Sequence, residues 1–194
     1  MESKLFLTGP SGCGKSTMIK NALGNSVSFA GGFITKRVTS KDGSLLGFDL
    51  LPAAAASGIS DFTAARFLDY TCTPPKANND VFRKDAVRLL KEAEYYPFSV
   101  VDEFGGFELL IPEFRAALSD FLSSPCPCIG VFKGDVNSES LKRSLGLTDR
   151  FLSCRHQILS AMESFDDIKI VETTGRYDET AIDIVNKWCR EYVL

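Results

Sequence analysis

Short apolar runs alternate with longer stretches of helical spacing along the 194-residue chain. Lys4-Leu5-Phe6-Leu7-Thr8 reads as a buried strand, and residues 16–23 as a helix closed by Gly24. Residues 26–38 are apolar and β-rich with a Gly31-Gly32 break; the turn Lys41-Asp42-Gly43-Ser44 joins them to residues 45–51 as a hairpin. Residues 65–72 add a third β-like piece, while residues 53–58 fit either a helical turn or a loop. After the breaker Thr73-Pro74-Pro75-Lys76, Asn79 or Asp80 can cap a helix that runs to Tyr95 and ends before Pro97. The strand Phe98-Ser99-Val100-Val101 comes next and leads into Asp102-Glu103. Beyond it come a helix over 112–122, a strand over 128–132, a helix over 138–145, a strand over 168–171 and a final helix over 177–192. This alternation predicts an α/β protein, one domain over residues 1–194, with a mostly parallel central sheet and a small early β insertion.

Composition narrows the field of partners. With 44% apolar and 24% charged residues and a net charge of −3, the chain carries no broad electrostatic footprint for nucleic acid or an anionic membrane. No apolar stretch approaches the ~20 residues of a membrane span. Met1-Glu2-Ser3-Lys4 runs straight into the first strand, so the expectation is a cytoplasmic protein without a targeting peptide. The six cysteines match neither a paired zinc site nor a thioredoxin motif, and Cys126-Pro127-Cys128 reads as two reduced, buried thiols.

The chemistry is concentrated in two places. Gly9-Pro10-Ser11-Gly12-Cys13-Gly14-Lys15-Ser16 is a full G-x-x-x-x-G-K-[ST] phosphate-binding loop (Walker A), set between a strand and a helix start. Backbone N–H groups and the helix dipole converge there on an anion, so residues Gly9 through Thr17 are the predicted nucleotide-binding set. Lys15 would reach the β- and γ-phosphates of a nucleoside triphosphate such as ATP or GTP, and Ser16 would offer its hydroxyl to Mg²⁺. The second place is Val100-Val101-Asp102-Glu103 (Walker B), at the C-terminal end of a strand expected beside the first one. Asp102 is the second candidate metal residue, and Glu103 the candidate to orient or deprotonate an attacking water. Phosphoryl transfer also calls for a basic charge, for which Arg37, Arg150 and Arg155 are the candidates; Arg143 and Arg176 are also available. The lone His156 has no triad partners.

In order and spacing, Gly9 to Ser16, Gly32-Phe33-Ile34-Thr35, Gly47-Phe48-Asp49, Asp102-Glu103-Phe104-Gly105-Gly106-Phe107-Glu108-Leu109 and Phe114 form a series. It resembles the P-loop nucleoside-triphosphatase family of the thermophile type, which includes the cancer-related nucleoside-triphosphatases. The resemblance covers most of the chain, strongly through about Phe132 and thinly beyond. It implies a three-layer, RecA-like P-loop fold and Mg²⁺-dependent hydrolysis of several nucleoside triphosphates to diphosphate and phosphate. It supports Gly9, Gly12, Gly14, Lys15, Ser16 and Thr17 for phosphate and metal, Asp102 and Glu103 for metal and water, and Glu108 as a further acidic residue. The chain departs from the family pattern at three basic positions. Arg37-Val38-Thr39 stands where the family has E-V-R, Leu45 replaces the arginine before G-F, and Gly106 replaces the lysine of D-E-I-G-K. Residues 150–166 read as added sequence able to supply a substitute lid. Two alternatives stay open beside hydrolysis: a kinase of a nucleotide or other small acceptor, and a nucleotide-responsive binding module with vestigial turnover. The sequence names no protein partner.

Overall fold

Successive residues of a β-strand project to opposite faces of its sheet, so a strand buried on both faces must be apolar throughout. The strand Cys128–Phe132 meets that condition throughout, and the runs Leu5-Phe6-Leu7 and Val100-Val101 meet it in part; together they form the centre of the sheet. The computed structural model describes residues 2–58 and 62–193. Its strands are β1 (Lys4–Thr8), β2 (Ala30–Thr39), β3 (Leu45–Pro52), β4 (Ala65–Asp69), β5 (Lys76–Ala77), β6 (Phe98–Phe104), β7 (Cys128–Phe132) and β8 (Ile168–Glu172). They form one sheet in the order β5-β4-β3-β2-β6-β7-β1-β8. From β2 to β8 the pairing is parallel, while β3, β4 and β5 extend it in antiparallel fashion. The early β insertion is therefore continuous with the main sheet.

Helices cover both faces. Leu5, Leu7, Val100, Ile129 and Val131 pack on one side with α1 (Lys15–Leu23) and α6 (Glu179–Tyr192) through Met18, Ile19, Val185 and Trp188. Phe6, Val101, Phe104 and Phe132 face the other side. There they meet α2 (Val87–Glu92), α3 (Pro112–Ser123) and α5 (Asp149–Ser164) through Leu89, Leu90, Phe114, Leu118, Ile158 and Met162. α4 (Asp135–Leu145) lies between β7 and α5 in the chain and adds Leu141 and Leu145 at the rim of this layer. The result is the three-layer α/β fold with a mostly parallel sheet that the sequence predicts. Among the described residues no helix is long and apolar enough to cross a membrane. All six cysteines are unpaired thiols, with Cys126 and Cys128 buried.

Several expectations are corrected. β7 lies between β1 and β6, so the strand carrying Asp102 is not the neighbour of the first strand. Residues 24–29 form a 3₁₀ helix, and β2 starts only at Ala30 and passes through Gly31-Gly32 without a break. β4 stops at Asp69, whose carboxylate accepts from the backbone N–H and hydroxyl of Thr71 (2.8 and 2.7 Å) and turns the chain away. The helix expected over 80–95 opens with a π-helical stretch, Val81–Ala86, before α2 and ends in a 3₁₀ turn, Ala93–Tyr95. α6 begins at Glu179 because Asp178 is its N-cap, accepting from Ala181 N at 3.1 Å. Residues 150–166 are not a lid. They make up most of α5, which sends Phe151, Cys154, Ile158 and Met162 into the interior at helical spacing.

Candidate nucleotide site

The phosphate loop leaves β1 and enters α1. At Gly9 the backbone takes φ 134°, and a Cβ there would stand 2.3 Å from the carbonyl oxygen of Thr173, so only glycine fits. Ser11, Gly12, Gly14, Lys15, Ser16 and Thr17 line a cleft of about 250 Å³. Lys15 is buried, and its ammonium donates to the carbonyl oxygens of Gly9 (3.1 Å) and Pro10 (2.6 Å), 3.6 Å from the Cys13 sulfur. Loop backbone thus holds the lysine over the loop it serves.

α1 packs across β7, and this carries Ser16 over the intervening strand to β6. The Ser16 hydroxyl donates to Asp102 Oδ1 at 2.8 Å. The two halves of the site therefore touch although their strands are not hydrogen-bonded to each other. The pair is a hard-oxygen donor set of one hydroxyl and one carboxylate. That fits Mg²⁺, which keeps several waters and takes phosphate oxygens for the rest of its octahedron. A cage of protein ligands is not needed, and no cluster of three or more His, Cys, Asp or Glu able to hold an ion occurs among the described residues.

Glu103 has φ 66°, the single non-glycine residue with positive φ among those described. The β6–β7 register shifts between Val101 and Phe104, which accommodates this left-handed residue at a strain of roughly 1–3 kcal/mol. Its carboxylate accepts from the Thr35 hydroxyl on β2 (3.2 Å) and pairs with Lys133 Nζ just past β7 (3.2 Å). The two neighbouring carboxylates are driven apart in acidity. Burial, reinforced by the charge of Glu103, pushes Asp102 up to about 7 against the Ser16 hydrogen bond. Burial also opposes ionisation of Glu103, but the charge and hydrogen bond of Lys133 and the Thr35 hydroxyl outweigh it and hold this carboxyl below its usual range.

Glu108 acts on the loop after β6. Its Oε1 accepts from the backbone N–H groups of Gly105 (2.7 Å) and Gly106 (2.6 Å), and burial raises its pKa despite these bonds and nearby Lys133. A Cβ on Gly106 would lie 3.1 Å from Lys133 Cε, so the lysine stem runs over the bare glycine. A basic side chain thus reaches Glu103 from β7, although position 106 has none.

The candidate arginines separate. Arg37 is exposed on β2, two residues beyond Thr35, and lines the same cleft as Lys15 and Glu103. Arg150 is exposed in the first turn of α5. Arg155 is buried and directed at the chain after β7. Its guanidinium donates to the Lys133 carbonyl and to Ser138 Oγ (2.7 Å), pairs with Asp135 (2.9 Å) and lies 4.5 Å over the Phe132 ring. It shapes the segment bearing Lys133. Arg176 sits beside the loop, its Cβ 2.7 Å from where a Cβ on Gly14 would be. Sequence reasoning missed Lys133 and Thr35 as site residues. For Lys133 the one available signal was its place after a fully apolar strand and before a glycine, the pattern that also ends β1.

Comparison with known proteins identifies the family and the fold. A family model described as NTPase matches residues 4–150. The chain is 30% identical over 137 residues to the cancer-related nucleoside-triphosphatase homolog of Mus musculus, covering 64% of this chain and 72% of that protein. Its fold is similar to the crystal structure of THEP1 from the hyperthermophile Aquifex aeolicus, with a TM-score of 0.61 over 94% of this chain and 96% of that one, at 17% identity. With the family match spanning the phosphate loop, the Asp102-Glu103 strand and β7, the chain belongs to the NTPase family of P-loop nucleoside-triphosphatases.

Proposed function

We propose that this protein hydrolyses the γ-phosphate of nucleoside triphosphates, ATP and GTP among them, to diphosphate and phosphate with Mg²⁺. The observation that carries the reading is the 2.8 Å contact between Ser16 and Asp102, which joins the phosphate loop to the strand presenting Glu103. The loop binds the triphosphate through its N–H groups, and Lys15 turns from the loop carbonyls to the β- and γ-phosphates. Ser16 and Asp102 would hold Mg²⁺, which when bound supplies positive charge to the phosphate oxygens. Glu103 orients the water and takes its proton; Lys133 keeps that carboxylate ionised and adds charge near the reacting phosphoryl group, with Arg37 at the open side. Positioning and electrostatics suffice for this chemistry.

The test is phosphate release from a panel of nucleoside triphosphates, with Mg²⁺ and with the ion chelated, in the natural protein, Lys15→Ala and Glu103→Gln. Lys15→Ala should lose turnover by roughly a hundredfold or more. Glu103→Gln should lose turnover while retaining nucleotide binding. Unchanged phosphate release in Glu103→Gln would overturn its role, and metal-independent turnover would overturn the role of Ser16 and Asp102.

A further inference from the structure

Adjoining the phosphate cleft at Glu103 lies a second cavity of about 190 Å³ that the hydrolytic reading leaves unused. Five rings, Phe48, Phe67, Tyr70, Phe82 and Phe107, make up much of its wall, with Leu68, Leu141 and two serines of α4 beside them. These rings hold one another, Phe67 against Phe82 at 5.0 Å, Phe82 against Phe107 at 5.7 Å and Phe48 against Phe67 at 6.2 Å. Phe82 belongs to the π-helical stretch Val81–Ala86, a helix type rare in proteins and frequent at functional sites. Ser11 of the phosphate loop, Glu103 and Lys133 line it as well, which brings the site's polar groups into the same cavity. Ser11, Phe48 and Glu103 also line the phosphate cleft, so the two cavities adjoin.

Size and charge select the occupant. The volume lies below the ~300–1,000 Å³ typical of drug-sized ligand sites and suits a single ring with short substituents. Ring walls favour a flat aromatic body. Lys133 is the one cation among the described residues lining it and is already paired with Glu103, while Glu108 adds another carboxyl group. A phosphate-bearing acceptor such as a nucleoside monophosphate is therefore disfavoured.

We propose that this aromatic cup is an acceptor site for an uncharged, single-ring aromatic alcohol, to which the protein transfers the γ-phosphoryl group. The proposal rests on the triphosphate occupying the phosphate loop as described above. The acceptor hydroxyl oxygen forms a new bond to the γ-phosphorus as the bond from that phosphorus to the β–γ bridging oxygen breaks. The electron pair of the broken bond leaves on the nucleoside diphosphate, the hydroxyl proton passes to the Glu103 carboxylate, and a phosphate monoester results. Water is the competing acceptor when the cup is empty.

The experiment incubates the full chain with ATP and Mg²⁺ and, in parallel, benzyl alcohol, 3-hydroxybenzyl alcohol or pyridoxine, with cyclohexylmethanol and AMP as controls. Nucleotide binding, phosphate and monoester are all measured, the last two by phosphorus NMR. Monoester should form from at least one ring alcohol about tenfold faster than from cyclohexylmethanol, and AMP should yield no ADP beyond that released by hydrolysis. Ser140 and Ser144 line the cup from α4, so Ser144→Trp, or Ser140→Trp should the first misfold, fills it. Either should lower monoester formation about tenfold while phosphate release to water changes by less than about twofold. Nucleotide hydrolysed with no monoester from any ring alcohol overturns the acceptor site alone. Equal transfer to cyclohexylmethanol, or transfer unaffected by a tryptophan in the cup, also overturns it. Failure to bind nucleotide removes both this proposal and the hydrolytic reading.

Discussion

β1 and β7 lie side by side, each five buried or nearly buried residues long, and each is followed within two residues by a glycine, Gly9 or Gly134. Their continuations differ. After β1 the chain wraps into a loop that offers its backbone, and even Lys15 is held by loop carbonyls. After β7 the chain offers one side chain, Lys133, whose backbone is gripped from behind by Arg155 on α5. The phosphate loop is thus self-supporting, whereas the β7 end depends on a distant helix for its shape. A backbone cradle is specified by local sequence; a delivered side chain is specified by the packing of another element.

Of the changes that probe the β7 arm and the far end of β1, removing Lys133 itself should have the largest effect. Lys133→Ala should lower turnover roughly tenfold to a hundredfold with little change in nucleotide affinity, as for loss of one preorganised charge. Lys133→Arg should restore part of it. Steady-state kinetics with a separate binding titration checks both, and an unaltered turnover in Lys133→Ala would mean that the arm serves structure only.

Removing the support comes next. Arg155→Met gives up hydrogen bonds to Lys133 O and Ser138 and the pair with Asp135, and should cost about 1–3 kcal/mol in denaturant unfolding. Turnover should fall only a few-fold, because the lysine remains but loses its fixed position. A double-mutant cycle sharpens the contrast: once Lys133 is alanine, Arg155→Met should reduce turnover little further. Full additivity would sever the proposed link between them.

The smallest effect is expected at the opposite end of β1. Lys4 is buried and pairs with Asp167 at 3.1 Å, while Asp167 also accepts from the Ser3 hydroxyl at 2.8 Å. Burial works against ionised Asp167, yet the Ser3 hydroxyl and the Lys4 ammonium hold its carboxyl below the usual carboxylate range. Its contribution to stability is therefore present above the unfolded pKa near ~3.9 and is lost as pH falls through the lower folded value. Asp167 is partly exposed, so solvent screening limits the contribution to under about 1 kcal/mol. Asp167→Asn should flatten the acid side of the stability curve by that amount and leave turnover unchanged; a loss of turnover would show that the two ends of β1 are coupled.

The same contrast decides what could be read before folding. The phosphate loop was legible because every residue that makes it lies within eight positions. Asp102-Glu103 was legible because two acids interrupt an apolar run, although the strand itself continues to Phe104. The place of β7 between β1 and β6 was not, since strand order is a property of the whole sheet and leaves no local mark. Arg155 read as a charge to be aimed at phosphate, as an isolated arginine does; its burial exists only once Phe132, Ser138 and α5 have met. Residues 150–166 read as an added lid because they lie where the family resemblance thins, yet Phe151, Cys154, Ile158 and Met162 at helical spacing bury one face of the helix. The missing lysine at Gly106 looked like a loss of charge, whereas Lys133 crosses the same space from another strand.

The interposed β7 also bears on synthesis. A chain emerging from the ribosome has already displayed the phosphate loop and Asp102-Glu103 before residue 128 is made, but the strand that sits between β1 and β6 does not yet exist. Until it inserts, nothing bridges β1 and β6 in the sheet order, and α1 lacks the surface that carries Ser16 to Asp102. Nucleotide stabilises only a state that can bind it. On the proposed reading it acts as a latch on the nearly finished molecule, offering no help to the shorter intermediates that precede it.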